Sequence, residues 1–378
     1  MTLSDILDKK IAIIGLGKEN LQFLDWLLKV VKFDPKNIIL ADQKEVDLSA
    51  ILLDYQGNQT VTTFFGENYL DCLQVPDLEY AFKAPGIWSL KSEFETFRQQ
   101  KGVDRVCSSL VFFLQKYRDQ IVGVTGTKGK STTSALIHNL LSGFENTKAT
   151  YCGNTTGISP YQFWTDLNQE IDANQFFVIE LSSFQLQDLG FSQISPKYAV
   201  ITNYFIDHQD QHATVREYWK AKDQLFTHQK DDDLVVISQT VVENTQFSEA
   251  LTSAKMLLIN TELANQHPEL IGFIKSPLLG EHNQRNTDQA IAITAAVRLK
   301  SEGKIGDVND ICEEIKKNKF KYQASVNRFK GLPHRIELVR TVESQTFLNQ
   351  RPVQIQIILP PLKISDMFRI MKYSPYHL

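Results

Sequence analysis

A glycine-rich segment near the middle of the chain has the residue types of a phosphate-binding loop. It reads Gly123-Val-Thr-Gly-Thr-Lys-Gly-Lys-Ser-Thr132, after an apolar run and before a helical pattern. Glycines let backbone N–H groups turn toward phosphate oxygens, Lys130 can reach the β- and γ-phosphates, and the Ser131 hydroxyl can bind Mg²⁺. Val124 stands where the strict motif G-x-x-x-x-G-K-[ST] has its first glycine, yet the flanking elements favour nucleotide binding. The loop residues predicted to bind are Gly126, Thr127, Lys128, Gly129, Lys130, Ser131 and Thr132.

A second glycine turn lies near the N-terminus. Gly15-Leu-Gly17-Lys-Glu-Asn20 matches half of the dinucleotide fingerprint G-x-G-x-x-G, with Asn20 in place of the third glycine. Asp42 lies close to the spacing expected of the fingerprint's acid. The pattern leaves two alternatives open: a site for the diphosphate of some other nucleotide, or a tight strand-to-helix turn without a ligand.

Acids and histidines follow two later apolar runs. Glu180 ends the run FFVIE, and a carboxylate at the end of a strand beside a phosphate loop is a candidate Mg²⁺ ligand. The alternative is a carboxylate that caps the next helix. His208, Asp210 and His212 alternate after another strand and could hold a metal or orient a reacting group, although such a cluster is as often a solvated loop.

Two helical segments carry further polar candidates. Lys222 lies in REYWKAKDQLF, where nothing local distinguishes it from a solvated lysine. Asn283 and Asn286 are three positions apart on one helical face and suit hydrogen bonding to a base or a ribose. An N-capping cluster explains the two asparagines equally well.

The elements that must position these residues alternate between short apolar runs and helical patterns. The apolar runs lie at 10–17, 37–42, 80–88, 120–126, 175–186, 197–203, 233–239 and 255–260. This alternation predicts an α/β fold with mostly parallel sheets. We expect a Rossmann-like domain over 1–105, a linker at 102–119, a P-loop ATPase-type central domain over 106–330 and a short third segment over 331–378.

Composition limits the class of protein. The 378 residues are 42% hydrophobic and 22% charged, which is ordinary for a globular chain of two or three domains. A net charge of −4 argues against a broad nucleic-acid surface, and neither a membrane span nor a secretory signal is expected. The four cysteines form no CxxC pair, which disfavours a disulfide framework or a structural zinc site and fits a reducing cytoplasm.

Several motifs in one order make the sequence resemble the Mur ligases. The phosphate loop has the form T-G-T-x-G-K-S, which accounts for the missing first glycine. The other matching segments are Cys152-Gly-Asn154-Thr, Glu180-Leu-Ser-Ser-Phe-Gln-Leu, Asn203 with Asp207-His208-Gln-Asp210-Gln-His212, Ala221-Lys222, Gly280-Glu-His-Asn283-Gln-Arg-Asn286 and Gly331-Leu-Pro-His334-Arg335-Ile-Glu337. The resemblance covers residues from about 8 to 348, and the run E-x-S-S-F-Q-L is typical of the D-glutamate-adding members.

The resemblance implies an ATP-dependent, Mg²⁺-requiring ligase of peptidoglycan synthesis. It would add D-glutamate to UDP-N-acetylmuramoyl-L-alanine through an acyl phosphate, as a cytoplasmic monomer with no nucleic-acid or membrane partner. The catalytic residues that it implies are Lys130, Glu180, His208 and a carbamylated Lys222, and the magnesium ligands are Ser131, Glu180, His208 and Lys222. The adenosine would be held by Asn283, Asn286 and Arg335, and the UDP substrate by Gly15, Gly17 and Asn154.

After Asn349 the sequence departs from the family. The family continues with an acid, an Asn-Pro-Asp run and a further domain of roughly a hundred residues, whereas this chain reads Gln350-Arg-Pro-Val-Gln-Ile-Gln. We expect a largely missing C-terminal domain, through a frameshift, a truncation or a short paralogue, and impaired ligase activity. The alternatives are a non-catalytic nucleotide- or UDP-sugar-binding remnant, another Mur ligase, and a ligase of the folylpolyglutamate synthetase type.

Overall fold

The computed structural model describes residues 3–52, 61–153, 156–167, 171–205, 214–244, 252–259, 265–304, 307–332, 337–342 and 345–349. Its strands are β1 Lys10–Ile14, β2 Ile38–Asp42, β3 Thr62–Phe65, β4 Leu78–Lys83, β5 Val106–Cys107, β6 Ile121–Thr125, β7 Lys148–Gly153, β8 Gln175–Glu180, β9 Tyr198–Ile201, β10 Leu234–Ser238, β11 Lys255–Ile259, β12 Glu337–Val342 and β13 Gln345–Asn349. Its α-helices are α1 Leu3–Ile6, α2 Lys18–Trp26, α3 Ser49–Leu52, α4 Ser92–Lys101, α5 Ser109–Tyr117, α6 Lys130–Leu141, α7 Pro160–Leu167, α8 Ser183–Phe191, α9 Val215–Asp223, α10 Gln239–Asn244, α11 Glu281–Ser301, α12 Val308–Lys317 and α13 Lys319–Arg328. The predicted α/β class is confirmed.

The first sheet has the strand order β3-β2-β1-β4-β5, and its neighbouring strands are parallel. The order reverses at β1, so the crevice at the carboxyl ends of β1 and β4 is where such sheets bind ligands. Gly15 turns the chain there with φ +81°, and a Cβ at this position would lie 2.7 Å from the Cβ of Ala84. The turn after β1 therefore packs directly on the turn after β4.

The second sheet has the order β11-β10-β9-β6-β8-β7, again with parallel neighbours. β6 lies between β8 and β9, so the segments that follow these three strands emerge side by side at one edge. The apolar runs of β6, β8, β9 and β10 are buried at every position, as expected of a parallel sheet covered on both faces.

Residues 102–119, expected to be a linker, are instead a packed part of the molecule. They contain β5 and the helix α5, along which nearly every side chain is buried. Phe113 packs on Tyr161 and Phe177 with ring centroids 5.7 and 5.0 Å apart. The linker expectation was wrong because the run LVFFL gives α5 apolar side chains all round, and such a helix has to be buried.

The two sheets share one hydrophobic core cluster. It holds inward-facing side chains of the first sheet, such as Ile11 and Leu40, together with Phe177 and Ile201 of the second. The opposite faces have separate clusters, one of which packs β6 and β8 against α6 and α11. Among the described residues, no helix combines the length and the apolarity needed to cross a membrane.

Candidate functional site

The loop after β6 has the backbone shape of a phosphate cradle. Gly126 and Gly129 have φ values of +145° and +83°, which side-chain-bearing residues rarely adopt. A Cβ at Gly126 would collide with the hydroxyl of Thr202, and one at Gly129 would lie 2.8 Å from the amide oxygen of Asn286. Because α6 begins at Lys130 directly after the loop, its N-terminal N–H groups and dipole favour an anion at this position.

Side chains of the segment that follows β9 hold this loop in shape. The Asn203 side chain accepts a hydrogen bond from the Lys128 N–H at 2.9 Å and donates one to the Lys128 carbonyl at 2.8 Å. The Thr202 hydroxyl donates to the same carbonyl at 2.6 Å, and the Thr127 N–H donates to the Asn203 carbonyl at 3.0 Å. The loop is thus preorganised by protein groups alone.

Two lysine ammonium groups converge on one carbonyl of the loop. Lys130 Nζ donates to Gly126 O at 2.9 Å, and Lys222 Nζ donates to the same oxygen at 3.1 Å. Lys222 is buried and lies over the ring of Tyr218 at 4.5 Å, so the solvated-lysine interpretation was wrong. The signal that could have found it is helical spacing, since Tyr218, Ala221 and Lys222 share the buried face of α9.

Glu180 is a buried carboxylate at the end of β8. The Ser131 hydroxyl donates to Glu180 Oε1 at 3.1 Å, and the Tyr151 hydroxyl donates to Oε2 at 3.2 Å. The helix-capping alternative was wrong, because Ser182 and Gln185 form the capping box of α8. Ser131 and Glu180 present oxygen donors side by side, which is the ligand type that Mg²⁺ prefers, so these residues fit such an ion.

Asn283 and Asn286 lie at the start of α11, beside the phosphate loop. The Asn283 side chain donates to the Leu279 carbonyl at 2.7 Å, and Asn286 Nδ2 lies 3.5 Å from Asn283 Oδ1. The N-capping alternative was wrong, because the N-cap residue is Gly280 and it makes no side-chain capping bond. The Asn286 amide instead faces Gly129, where it can reach a nucleotide held by the loop.

The first glycine turn is closed by two polar side chains. Asn20 Nδ2 donates to the carbonyl oxygens of Ile14 and Gly15, at 3.2 and 2.9 Å. Asp42 Oδ2 accepts a hydrogen bond from the Leu16 N–H at 2.6 Å. The acid that the fingerprint reserves for a ribose is therefore bound to the turn itself.

One cavity of about 690 Å³ faces both glycine loops. Its wall includes Gly17 and Glu19 at the start of α2 and Pro85 and Gly86 after β4. The opposite wall comes from the second sheet and its helices, with Lys130, Ser182, Tyr218 and Lys222. The candidate phosphate site and the N-terminal turn thus face the same open cleft.

Comparison with known proteins identifies a family for the central part of the chain. Residues 124–294 match the family model described as the Mur ligase middle domain. The UDP-N-acetylmuramoylalanine–D-glutamate ligase of Clostridium kluyveri is 28% identical over 357 residues, which cover 90% of this chain and 69% of that protein. Residues 124–294 belong to the Mur ligase middle-domain family.

The chain is also similar to other curated and solved proteins. The ligase of the same name from Clostridium acetobutylicum is 31% identical over 265 residues, covering 69% of this chain and 53% of that one. Among solved structures, UDP-N-acetylmuramate:L-alanyl-gamma-D-glutamyl-meso-diaminopimelate ligase from Neisseria meningitides is 16% identical with a TM-score of 0.49, covering 86% and 99% of the two chains. UDP-N-acetylmuramate-alanine ligase from Thermotoga maritima is 18% identical with a TM-score of 0.41, covering 91% and 74%.

The structure brings together most of the predicted site residues. Those that meet around the loop after β6 are Gly126, Thr127, Lys128, Gly129, Lys130, Ser131, Thr132, Glu180, Lys222, Asn283 and Asn286. Gly15 and Gly17 lie apart from these, in the turn between β1 and α2. Asn154, His208 and Arg335, like Asp210 and His212, lie outside the described residues.

Three further residues of this site were not predicted from the sequence. Tyr151 contacts Glu180 from the neighbouring strand β7, and Tyr218 packs under Lys222. Glu19 lines the cavity and accepts hydrogen bonds from Ser109 and Gln185, and burial raises the pKa of its carboxyl to about 7. These residues meet their partners across separate elements, so no local spacing reveals them.

A second polar cluster lies beside α12. His267, Glu269 and Cys312 offer ligand atoms within 4.8 Å of one another. Lys316 Nζ lies 3.6 Å from Glu269 Oε1, the oxygen that also lies 3.6 Å from His267 Nδ1. The lysine supplies the cation beside this carboxylate, so the cluster is an ion-pair network.

Proposed function

We propose that this Mur ligase joins the carboxylate of UDP-N-acetylmuramoyl-L-alanine to the amine of D-glutamate, with ATP converted to ADP and phosphate. The observation that supports this most directly is the single cavity that both the phosphate-loop lysine Lys130 and the first glycine turn line. A ligase that phosphorylates one substrate needs the ATP phosphates and the acceptor carboxylate in one space. The names of the relatives support the choice of D-glutamate.

The proposed reaction has two steps. A carboxylate oxygen of the muramoyl-alanine attacks the γ-phosphorus of ATP, the bond to the β-phosphate oxygen breaks, and ADP leaves. The D-glutamate amine then attacks the carbonyl carbon of the acyl phosphate, phosphate leaves, and the nitrogen loses a proton. Charge spreads over the phosphoryl oxygens in the first step, so Lys130, once drawn from the Gly126 carbonyl to the phosphates, offsets that charge.

The oxygens of Ser131 and Glu180 would hold Mg²⁺ in this reaction. When bound there, the ion neutralises charge on the ATP phosphates. Tyr151 keeps the Glu180 carboxylate oriented through its hydroxyl. We assign Lys222 the role of a carbamylated ligand on the same side of the loop, and we assign Asn154 to the muramoyl substrate, His208 to the metal and Arg335 to the adenosine, next to Asn283 and Asn286.

The test is release of ADP by the purified chain in the presence of ATP, Mg²⁺, UDP-N-acetylmuramoyl-L-alanine and D-glutamate. We expect release only when both substrates are present, and a loss of at least about 100-fold in Lys130→Met, since one charge-stabilising group contributes about that much. Lys148→Met, an exposed lysine of β7, serves as the matched control. Binding of ATP and of the UDP-sugar without ADP release would instead favour a non-catalytic binding protein.

A further inference from the structure

Two carboxylates lie at the N-terminal turn of Gly15 and Gly17, which the family resemblance assigns to the UDP substrate. Asp42 binds the Leu16 N–H at 2.6 Å, so it already satisfies a donor that an anion would use. Glu19 lies in the first turn of α2 and lines the cavity, next to Gly17 and Lys18. A carboxylate at the start of a helix is stabilised by the helix dipole but competes with any other anion for the same position.

Glu19 is held in place from two other elements. Ser109, at the start of α5, donates to Glu19 Oε1 at 3.3 Å, and Gln185 of α8 donates to Oε2 at 3.4 Å. These bonds hold the carboxyl at the cavity wall. A charged Glu19 would therefore face the ligand's phosphates across the cavity, and like charges repel.

Burial outweighs the charges that act on Glu19. Lys83 of β4 acts on it as a cation, but Lys83 Nζ also forms an ion pair with Asp188 of α8 at 2.9 Å, and both side chains are fully buried. Among the described residues, the charged or titratable groups that act on Glu19 or line the cavity with it are Lys18, Lys83, Lys130, Cys152, Tyr161, Asp188, Tyr218 and Lys222. Burial raises the pKa of both the Cys152 thiol and the Tyr161 hydroxyl, so these two stay neutral near pH 7.

We propose that Glu19 makes binding of the UDP-sugar diphosphate depend on the uptake of one proton by its carboxyl group. This inference rests on the proposed function, because it takes the turn between β1 and α2 as the diphosphate site. In the protonated form Glu19 carries no charge and offers an O–H that can donate to a phosphate oxygen. In the charged form it excludes the same ligand.

The experiment is calorimetric binding of UDP-N-acetylmuramoyl-L-alanine between pH 6 and pH 8.5, without ATP or D-glutamate. This ligand has no phosphate group that titrates in that range, so a pH effect belongs to the protein. With the pKa of Glu19 raised to about 7, the wild-type Kd rises about 10-fold from pH 6 to pH 8. Titrations at pH 8 in two buffers of different ionisation enthalpy should show uptake of about 0.9 proton per ligand bound.

The matched variants are Glu19→Gln and Glu145→Gln. Glu19→Gln keeps the size of the side chain and removes its charge, so its Kd should be constant across the pH range and its proton uptake close to zero. Glu145 is exposed on the central part of the chain, and Glu145→Gln should behave as the wild type. Circular dichroism of each variant at both pH limits verifies that the fold is retained.

Three results would overturn the inference. They are a wild-type Kd that does not change with pH, an unchanged pH dependence in Glu19→Gln, and no binding of the UDP-sugar by either protein at any pH. The first two leave the proposed function intact, because ATP and UDP-sugar binding persist. The third, with ATP still bound, removes the UDP substrate as well, and loss of ATP binding in addition would remove the proposed ligase function itself.

Discussion

At the scale of single residues, the carbonyl oxygen of Gly126 lies at the centre of the candidate site. Lys130 and Lys222 both donate to this one carbonyl, although they come from different helices. Two ammonium groups that share one acceptor repel each other, and an arriving phosphate or a carbamate on Lys222 relieves that repulsion. A phosphate bound in the loop would therefore lie beside both lysines.

Substitutions of Glu180 and of Tyr151 should change the Mg²⁺ requirement of ADP release to different extents. Glu180→Gln removes a charged oxygen ligand, so we expect the Mg²⁺ concentration for half-maximal ADP release to rise by more than about 100-fold. Tyr151→Phe removes only the hydrogen bond at 3.2 Å to that ligand and should raise this concentration by about 10-fold. Magnesium titrations of ADP release measure both, and equal effects of the two substitutions would contradict the assignment of the metal to Glu180.

Asp223 gives a prediction about pH and stability. Burial raises the pKa of this carboxyl to about 6, against a hydrogen bond from the Tyr204 hydroxyl that lowers it. Because the folded-state pKa is above the ordinary value, the contribution of Asp223 to stability is largest below pH 4 and is lost as the pH rises through 6. Two pKa units correspond to about 3 kcal/mol.

Asp223→Asn should remove this dependence, since an amide does not titrate. The unfolding free energy of the wild type minus that of the variant should fall by about 2–3 kcal/mol between pH 4 and pH 7. Urea unfolding at both pH values measures this difference. A difference that stays constant, or that grows with pH, would contradict the raised pKa.

The sequence predicts those functional residues whose role can be inferred from their neighbours in the chain. Lys130 and Ser131 follow glycines in a loop between a strand and a helix, and Glu180 ends a buried strand, so both assignments need only neighbours in the chain. Tyr151 and Glu19 could not be found in this way. Their partners come from other strands and helices, and only the strand order brings them together.

At the scale of elements, a buried ion pair ties the turn after β4 to helix α8. Lys83 Nζ lies 2.9 Å from Asp188 Oδ2, and the Ser89 hydroxyl donates to Oδ1 at 2.7 Å. The Pro85–Gly86 turn that lines the cavity lies between these two anchors. One side of the candidate substrate site is thereby fixed to the helix that follows Glu180 in the chain.

Breaking this pair should destabilise the protein strongly. Lys83→Met leaves Asp188 buried without its cation, and we expect a loss of about 3–5 kcal/mol in unfolding free energy. The double variant Lys83→Met, Asp188→Asn should be more stable than Lys83→Met alone, because no buried charge remains. Lys10→Met, at a partly exposed pair with Asp77, is the control and should change the free energy by less than about 1 kcal/mol.

The element types could be predicted where the apolar residues followed a clear period along the sequence. The prediction failed at α5, where nearly all side chains are buried. The apolar runs of β1, β2, β6 and β8 predicted strands that the structure contains. The stretch 102–119 was misjudged as a linker because a helix buried on all sides shows neither the amphipathic nor the alternating pattern. The packing of α5 against both sheets is a property of the assembled core, not of its own sequence.

At the scale of the whole molecule, the shared core joins the two sheets into one cooperative structure. Phe113 of α5 is fully buried and its ring packs on Tyr161, Trp164 and Phe177. We therefore expect far-ultraviolet circular dichroism and tryptophan fluorescence to report one coincident urea transition. Phe113→Ala should lower the unfolding free energy by about 3–5 kcal/mol and keep the two probes coincident.

Phe320→Ala is the control for that measurement. Its side chain is 88% exposed on α13, so its removal should leave the transition unchanged. Two separate transitions in the wild type, or a shift of only one probe in Phe113→Ala, would show that the sheets unfold independently.

The strand order also has a consequence for how the chain is made. β1 to β5 are complete by residue 107, so the first sheet can pair while the ribosome is still adding the second. Its inner face, however, packs on side chains such as Phe177 and Ile201, which emerge much later. During that interval the apolar inner face of the nascent first sheet is exposed to solvent. Parallel pairing between strands that are distant in the sequence is also slow. Chaperone binding to ribosome-bound chains should therefore peak between the synthesis of β5 and that of β9.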